Sequence, residues 1–184
     1  TKEDLVSIVN FDGAERLLYK TFPIDIVLVR ASYADELGNC TVHKEIGPLD
    51  VTAMAQACKN SGGKVIVQVE KIVQAGSLDP KLVKIPGIYV DAVVVGSDED
   101  NMQCLGMPYD GALTGEFRIP VDKIPEVPLN ARKIVARRAA MELTENAIVN
   151  LGTGMPEVIS NVAAEEGISD YMTLTVEAGS IAGV

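Results

Sequence analysis

Apolar segments of two different periods alternate along the chain, and this alternation limits the possible folds more than any other feature. Residues 64–69 (KVIVQV) are a short apolar run rich in β-branched side chains, which is typical of a strand. Residues 50–60 repeat apolar side chains at the spacing of one helix face. The members of that face are Val51, Met54, Ala55 and Cys58. Strands separated by helices indicate βαβ units, so the sequence predicts an α/β fold with mostly parallel sheets flanked by helices.

Turn and cap residues predict where several strands and helices begin and end in the first half of the chain. Asp12-Gly13 is a strong hairpin signal between strand-like residues 6–10 and 16–19. Asp50 is expected to cap the helix at residues 50–60, and Ser61-Gly62-Gly63 to end it. The remaining predictions are a buried strand at 24–29, a loop at 34–39 (ADELGN) with Asn39 in a turn, and a strand at 89–95.

A proline-rich stretch divides the chain. Three prolines interrupt residues 118–129, which have no apolar periodicity. With 184 residues, the chain is long enough for one ordinary domain or two small ones. We therefore predict a first domain at residues 1–120, a linker at 121–129 and a second domain at 130–184.

Two further helices and two strands are predicted in the second domain. Asn130 can cap a helix that runs to about Thr144. Strands are expected at residues 147–151 and 171–176, with a helix between them that has Pro156 in its first position. The expected inner face of the first helix is Val135, Ala139 and Leu143. The expected apolar face of the second is Val158, Ile159, Val162 and Ala163, followed by Gly167 as its end.

Charge and cysteine content argue against several classes of function. The 26 acidic and 16 basic residues give a net charge of −10, which repels nucleic acid. No apolar run approaches the roughly 18–20 residues that cross a bilayer, and the polar start does not resemble a signal peptide. Cys40, Cys58 and Cys104, with the single His43, favour neither a disulfide framework nor a metal site. The sequence thus predicts a cytoplasmic protein without a metal site, a nucleic-acid partner or a membrane span.

Two of the predicted strands are followed by residues that are suited to catalysis or ligand binding. Residues 147–151 run into Gly152-Thr153-Gly154-Met155-Pro156, and residues 171–176 run into Glu177-Ala178-Gly179. Because one helix joins the strands, they should be parallel neighbours with a right-handed crossover. Both motifs then lie at the carboxyl ends of the strands, the edge at which open α/β sheets bind ligands. A glutamate, ionised at neutral pH, can attack an acyl group without a general base. The helix that begins at Pro156 offers free N–H groups to an anion.

Each of these motifs also has an ordinary structural interpretation. A glutamate after a strand is usually a solvated or capping residue, and a short GxG sequence before a helix is usually a plain turn. The residues Ser61 to Lys64 lack the spacing of a phosphate-binding P-loop. Residue chemistry alone therefore leaves the catalytic and the structural interpretations open.

Several segments together resemble one enzyme family. Residues 147–184 (AIVNLGTGMPEVISNVAAEEGISDYMTLTVEAGSIAGV) resemble the catalytic half of family I CoA-transferases, closest to the acetate and propionate enzymes. That family's GxGxP turn is matched by Gly152, Gly154 and Pro156, and its E-x-G motif by Glu177 and Gly179. The resemblance continues upstream through residues 23–39, 53–70, 76–95 and 130–143.

The resemblance implies a CoA-transferase-like fold with parts of two similar domains, and ping-pong chemistry. Glu177 would be the catalytic nucleophile, with Gly152, Gly154 and Gly179 on the side of the substrate. Coenzyme A would be a substrate rather than a tightly bound cofactor, and the partners would be an acyl-CoA and a short-chain carboxylate. Homo-oligomers are common in this family, and burial of the reactive ester keeps water away. Because the chain opens at Thr1 and stops at Val184 within an apolar segment, we expect an internal fragment of such an enzyme.

Two other functions are compatible with the same residues. One is an acyl-CoA hydrolase on the same scaffold, in which water enters the pocket, and the other is a non-catalytic α/β module. A cluster of basic residues on the helix after Asn130 is expected to be a solvated face rather than a site for the phosphates of CoA. The cluster consists of Arg132, Lys133, Arg137 and Arg138, and Glu142 and Glu145 are expected to pair with it.

Overall fold

The structure, a computed structural model, describes residues 3–102, 107–177, 179 and 181. The terminal residues Thr1 and Val184, as well as Cys104 and Ala178, lie outside the described residues. The chain divides into two units, Thr1–Thr114 and Gly115–Val184. Each described unit contains parallel strands and helix, which is the α/β architecture expected from the sequence. The division into two similar CoA-transferase domains with a linker at 121–129 stays a prediction.

The first unit consists of short strands around one helix. In chain order they are β1 (Val6–Phe11), β2 (Ala14–Tyr19), β3 (Ile26–Arg30), β4 (Tyr33–Asp35), β5 (Cys40–Thr41), α1 (Val51–Asn60), β6 (Lys64–Val69), β7 (Lys71–Val73), β8 (Val83–Ile85) and β9 (Ala92–Val95). Strands β3, β6 and β9 form a parallel sheet in the order β3-β6-β9, and a second sheet has the order β7-β4-β5-β8. Strands β1 and β2 pair as an antiparallel hairpin.

The hairpin is confirmed, together with the turn that the sequence predicted for it. Phe11 pairs with Ala14, so that Asp12 and Gly13 alone connect the two strands. Their φ angles of 53° and 75° are both left-handed. A two-residue turn of this kind matches the right-handed twist of the paired strands, and aspartate and glycine tolerate its backbone.

One face of the parallel sheet packs against α1 and forms the core of the first unit. Val27, Val65 and Val67 are buried there with Ala55 and Cys58 of the helix. The predicted burial of the whole strand at 24–29 is wrong, because β3 begins at Ile26 and alternates. Leu28, on the opposite face, is 72% exposed.

The segment predicted as a loop at 34–39 is partly strand. Ala34 and Asp35 belong to β4, and the chain turns between Asp35 and β5, where Asn39 takes the expected place in the turn. The buried Asp35 carboxylate accepts hydrogen bonds from the backbone N–H groups of Leu37, Asn39 and Gly76 and from Asn39 Nδ2. Burial alone would raise the pKa of Asp35, but these hydrogen bonds stabilise the charged form and hold the pKa below its ordinary value.

Two other boundaries in the first unit differ from the prediction. The strand predicted from residue 89 begins at Ala92, because Gly87–Tyr89 form a 3₁₀ turn after Pro86. Asp50 occupies the position before α1 without making a side-chain hydrogen bond to the helix. The end of α1 is as expected, because Gly62 is left-handed and Gly63 N–H donates to the Cys58 carbonyl.

The second unit contains two parallel strands and two packed helices. In chain order these are α2 (Ala131–Ala140), β10 (Ile148–Leu151), α3 (Val158–Glu165) and β11 (Thr173–Val176). The parallel pairing of β10 with β11 confirms the predicted arrangement of the two strands. Val162 and Ala163 of α3 are buried, and Gly167 follows the helix with a left-handed φ of 70°, both as predicted.

The predicted length of α2 is wrong, and so is the place of Val135 on its inner face, whereas Leu143 packs against the core as predicted. The helix ends at Ala140, because Glu142 and Leu143 donate to carbonyls only three residues back. Its buried apolar positions are Ala136 and Ala140, which pack on Val162 of α3, whereas Val135 is 56% exposed. Small alanine side chains allow close helix packing, so the buried face is displaced by one residue from the predicted stripe.

No helix within the described ranges combines the length and the apolar character that a bilayer span requires.

Two neighbouring glycines after α1 give a stability test. A Cβ atom at Gly63 would lie 2.2 Å from the Ile24 carbonyl oxygen and 2.7 Å from Cys58 Sγ, so the backbone would have to move. We expect Gly63→Ala to lower the free energy of unfolding by about 3 kcal/mol, measured by urea denaturation.

Gly62→Ala is the matched control for this substitution. A Cβ at Gly62 meets nothing within 4 Å, and the change adds only the strain of its left-handed φ, about 1 kcal/mol. Equal stability of the two variants would contradict the packing described around Gly63.

Candidate active site

The register of the two parallel strands brings the predicted site residues together. Leu151 is opposite Val176, and the backbone N–H of Glu177 donates to the Leu151 carbonyl at 3.1 Å. The strand pairing therefore extends to the residues that directly follow each strand. Gly152 and Glu177 lie side by side at the carboxyl edge of this sheet.

The Glu177 carboxylate lies against the glycine turn after β10. Its Oε2 is 3.4 Å from the backbone nitrogen of Thr153 and 3.3 Å from Thr153 Oγ1, and both groups donate to it. A Cβ atom at Gly152 would lie 3.5 Å from the same oxygen. Gly152 therefore lies in direct contact range of the carboxylate.

The chain reverses directly after Glu177. The N–H of Gly179 donates to the Val176 carbonyl at 2.9 Å, and Gly179 has a left-handed φ of 101°. Ile181 then forms an antiparallel bridge with Thr175. A glycine two residues after the glutamate therefore has a local structural reason, because a residue with a side chain is strained at this φ.

The second glycine of the turn contacts α2. Gly154 has a left-handed φ of 93°, and its carbonyl oxygen accepts a hydrogen bond from Arg132 Nη2 at 3.2 Å. Arg132 is exposed, as expected of a solvated face, and its side chain also connects the first turn of α2 to the glycine turn. Asn130 caps the same helix by accepting a hydrogen bond from Lys133 N–H, as predicted.

Lys133 differs from the expected solvated face. It is 6% exposed, and its Nζ lies 2.6 Å from Glu165 Oε2 on α3. The other oxygen of Glu165 accepts a hydrogen bond from Val127 N–H at 2.6 Å, which fixes the end of the proline-rich stretch. The hydrogen bonds from Lys133 and Val127 stabilise the charged carboxylate and hold the pKa of Glu165 below its ordinary value.

The remaining basic residues of α2 form surface ion pairs. Arg137 pairs with Glu166, and Arg138 pairs with Glu142 four residues along the helix, as the spacing predicted. All four side chains are exposed, which agrees with the solvated face expected for these two arginines.

The start of α3 differs from the prediction. The helix begins at Val158, two residues after Pro156. The N–H groups of Val158, Ile159 and Ser160 donate to the carbonyls of Met155, Pro156 and Glu157. These amides are already hydrogen-bonded within tight turns and are not the free anion-binding groups that were expected.

The cysteines and the histidine lie apart from this site in the sequence. Cys40 and Cys58 are reduced and buried in the first unit, which confirms Cys58 as a core residue. Burial raises the pKa of the Cys40 thiol to about 12, and the charge of Asp35 adds to the effect. His43 Nδ1 lies 3.0 Å from Thr41 Oγ1, and its ring meets Tyr33 edge-on. Its lack of a catalytic role stays a prediction.

The site contains an accessible carboxylate with one oxygen held by two donors. The Glu177 side chain is exposed, so the water exclusion that the resemblance implied is not provided by the described residues around it. Gly152, Gly154 and Gly179 shape the two turns that flank it, and contact of these glycines with substrate stays a prediction. The sequence placed Thr153 in the glycine turn and Arg132 in the basic cluster, but it did not indicate the contact of Thr153 with Glu177 or of Arg132 with Gly154.

The comparison with known proteins identifies the class. A family model described as coenzyme A transferase matches residues 2–96, just over half of the 184 residues. This chain belongs to the coenzyme A transferase family. The matched residues lie in the first unit, whereas Glu177 lies in the second.

Individual relatives extend the similarity over the whole chain. The caffeate CoA-transferase of Acetobacterium woodii is 46% identical over 100% of this chain and 35% of its own length. The acetate CoA-transferase YdiF of Escherichia coli K12 is 43% identical over 100% of this chain and 34% of its own length. A similar solved structure is the crystal structure of the acyl-CoA transferase YdiF from Escherichia coli O157:H7, a thioester complex with CoA. It matches with a TM-score of 0.82 and 43% identity, over 100% of this chain and 34% of the YdiF chain. The chain spans about a third of the length of these relatives.

The Lys133–Glu165 pair predicts how stability depends on pH. The pKa of Glu165 is lower in the folded state than in the unfolded chain, where it is about 4.3. The charged carboxylate therefore contributes its full stabilisation of the fold above that pH, and the contribution is lost as the pH falls further. We expect Glu165→Gln to have a lower urea midpoint than the wild type at pH 7. Near pH 3 the two urea midpoints should be similar, because the wild-type carboxylate is then becoming protonated.

Glu166→Gln serves as the comparison for this test, because it removes an exposed ion pair on the adjacent residue. Its urea midpoint should stay close to that of the wild type throughout. A pH profile of Glu165→Gln parallel to that of the wild type would show that the buried pair does not stabilise the fold.

Proposed function

We propose that this protein transfers coenzyme A between short-chain acyl-CoA and carboxylate acceptors, with Glu177 as the nucleophile. The observation that carries the proposal is the position of the Glu177 carboxylate at the carboxyl edge of a parallel sheet, beside the glycine turn, in a chain of the coenzyme A transferase family. Coenzyme A acts as a substrate and no tightly bound cofactor is required. The proposal includes a homo-oligomer in the cytoplasm.

The reaction begins with attack of a Glu177 oxygen on the carbonyl carbon of the acyl-CoA. The carbon–sulfur bond breaks, and CoA leaves as a thiolate with the electron pair, which forms an acyl-glutamyl anhydride. The thiolate then attacks the side-chain carbonyl carbon of Glu177. The donor acid leaves as a carboxylate, and a glutamyl-CoA thioester remains.

The acceptor acid completes the cycle through the same bonds in reverse order. Its carboxylate attacks the glutamyl thioester, releases the thiolate and forms a second anhydride. The thiolate then attacks the acyl carbon of the acceptor, which yields the new acyl-CoA and the free Glu177 carboxylate. No proton or electron is gained or lost, so the mechanism needs neither a histidine base nor a redox partner.

The similarity to YdiF supports the covalent step. The similar YdiF structure is a thioester complex with CoA. In this chain, Thr153 donates to one oxygen of the Glu177 carboxylate and leaves the other uncovered. The acetate named for YdiF supports a short aliphatic acid as the substrate. The caffeate named for the other relative makes an aromatic acid the natural comparison in an acceptor test.

Hydrolysis of acyl-CoA is the second candidate function, and the exposure of Glu177 favours it. Water that reaches a glutamyl thioester would cleave it and regenerate the carboxylate. The two functions differ in whether a carboxylate acceptor is needed for turnover.

Acceptor dependence separates the two candidates. The full-length protein incubated with propionyl-CoA should form acetyl-CoA and propionate when acetate is present, and little free CoA when it is absent, as followed by liquid chromatography. Rapid release of CoA without an acceptor would favour the hydrolase. Faster turnover with caffeate than with acetate would overturn the short-chain substrate class and retain the transferase.

Removal of the nucleophile tests the role of Glu177. Glu177→Gln keeps the size of the side chain and should lower the exchange rate by on the order of 1,000-fold or more, because the amide cannot form the anhydride. Glu177→Ala should be equally inactive and remain folded, because this exposed side chain contributes little to the core. Glu145→Gln changes another exposed glutamate of the same unit and should leave the rate unchanged. Substantial exchange by Glu177→Gln would contradict the proposal.

A further inference from the structure

We propose that Thr153 is a positioning residue for Glu177, whose hydroxyl group holds Oε2 so that Oε1 is the oxygen that attacks the acyl carbon. The inference rests on the proposed function and adds a residue to it. Thr153 lies between the two glycines of the turn, and the sequence alone indicates no role for it.

The contacts of Thr153 distinguish the two oxygens of the carboxylate. The hydroxyl oxygen of Thr153 lies 3.3 Å from Glu177 Oε2, and the backbone nitrogen lies 3.4 Å from the same atom. Two donors from one residue thus converge on one carboxylate oxygen. An oxygen that accepts hydrogen bonds holds its lone pairs more tightly, so Oε1 is the better nucleophile of the two.

Holding the carboxylate also removes freedom that an exposed glutamate otherwise has. A glutamate side chain has several rotatable bonds, and ordering it costs conformational entropy. The Thr153 contacts fix the carboxylate before the substrate arrives, so that a larger share of bound substrate is in a reactive geometry. The expected consequence is a higher kcat with little change in the affinity for acyl-CoA.

The position of Thr153 depends in turn on α2. Arg132 Nη2 donates to the carbonyl oxygen of Gly154, the next residue along the chain. The first turn of α2 is itself fixed by the Asn130 cap and by the buried Lys133–Glu165 pair. Arg132 therefore acts on Glu177 through the turn that presents Thr153, and its effect should depend on the Thr153 hydroxyl.

Three substitutions at one position test the role of the hydroxyl group. Thr153→Val keeps the shape and the backbone N–H but removes the hydroxyl donor, and it should lower kcat by about tenfold. Thr153→Ser retains the hydroxyl and should restore most of the rate, whereas Thr153→Ala should resemble Thr153→Val. The KM for acyl-CoA and the urea midpoint should change little in all three, because Thr153 is exposed and acts on the orientation of Glu177.

A double-mutant cycle tests the link to α2. Arg132→Met should lower kcat several-fold in the wild type and much less in the Thr153→Val background, because both changes release the same carboxylate. Arg138→Met alters an exposed arginine of the same helix that pairs with Glu142, and kcat should not change. Full additivity of Arg132→Met and Thr153→Val would overturn the link through the turn.

The outcomes separate this inference from the function on which it rests. An active wild type with an unchanged kcat in Thr153→Val, or a Thr153→Ser variant as slow as Thr153→Val, would overturn the positioning role alone. A wild type that shows no acceptor-dependent exchange would overturn the proposed function and the positioning role together.

Discussion

The backbone pairing of β10 with β11 is the interaction on which the rest of the site depends. Parallel strands in register end at the same edge, and the hydrogen bond from Glu177 N–H to the Leu151 carbonyl carries the pairing one residue beyond β11. A shift of one residue in this register would turn Glu177 to the other face of the strand and away from the glycine turn. The chemistry thus begins with a main-chain contact between two segments that are separated along the sequence by a whole helix.

Much of this arrangement could be predicted from local patterns. Residues such as Asp12-Gly13 are among the few that tolerate the left-handed backbone of a two-residue turn, and the alternating periods of strands and helices indicate βαβ units. The parallel neighbours and the proximity of Gly152 to Glu177 follow from the single helical crossover between their strands. These features depend on nearby residues, which is why a single sequence contains them.

Other features depend on partners that are distant in the sequence. The buried face of α2 is set by close packing against α3, so the more hydrophobic Val135 is exposed while Lys133 is buried. Lys133 tolerates burial because Glu165, 32 residues later, neutralises its charge, and neither residue alone indicates the pair. The start of α3 was misplaced because Pro156 suits a tight turn as well as a first helical position. The contact of Thr153 with Glu177 likewise requires the folded backbone.

The central claim is that a covalent bond forms at one particular carboxylate. Its most direct test is to incubate the full-length protein with acyl-CoA, reduce it with borohydride and map the modified peptide by mass spectrometry. The account predicts that the Glu177 side chain is converted to the alcohol, only when acyl-CoA is present. An unmodified Glu177 in a protein that still exchanges CoA, or a modification at another residue, would contradict it.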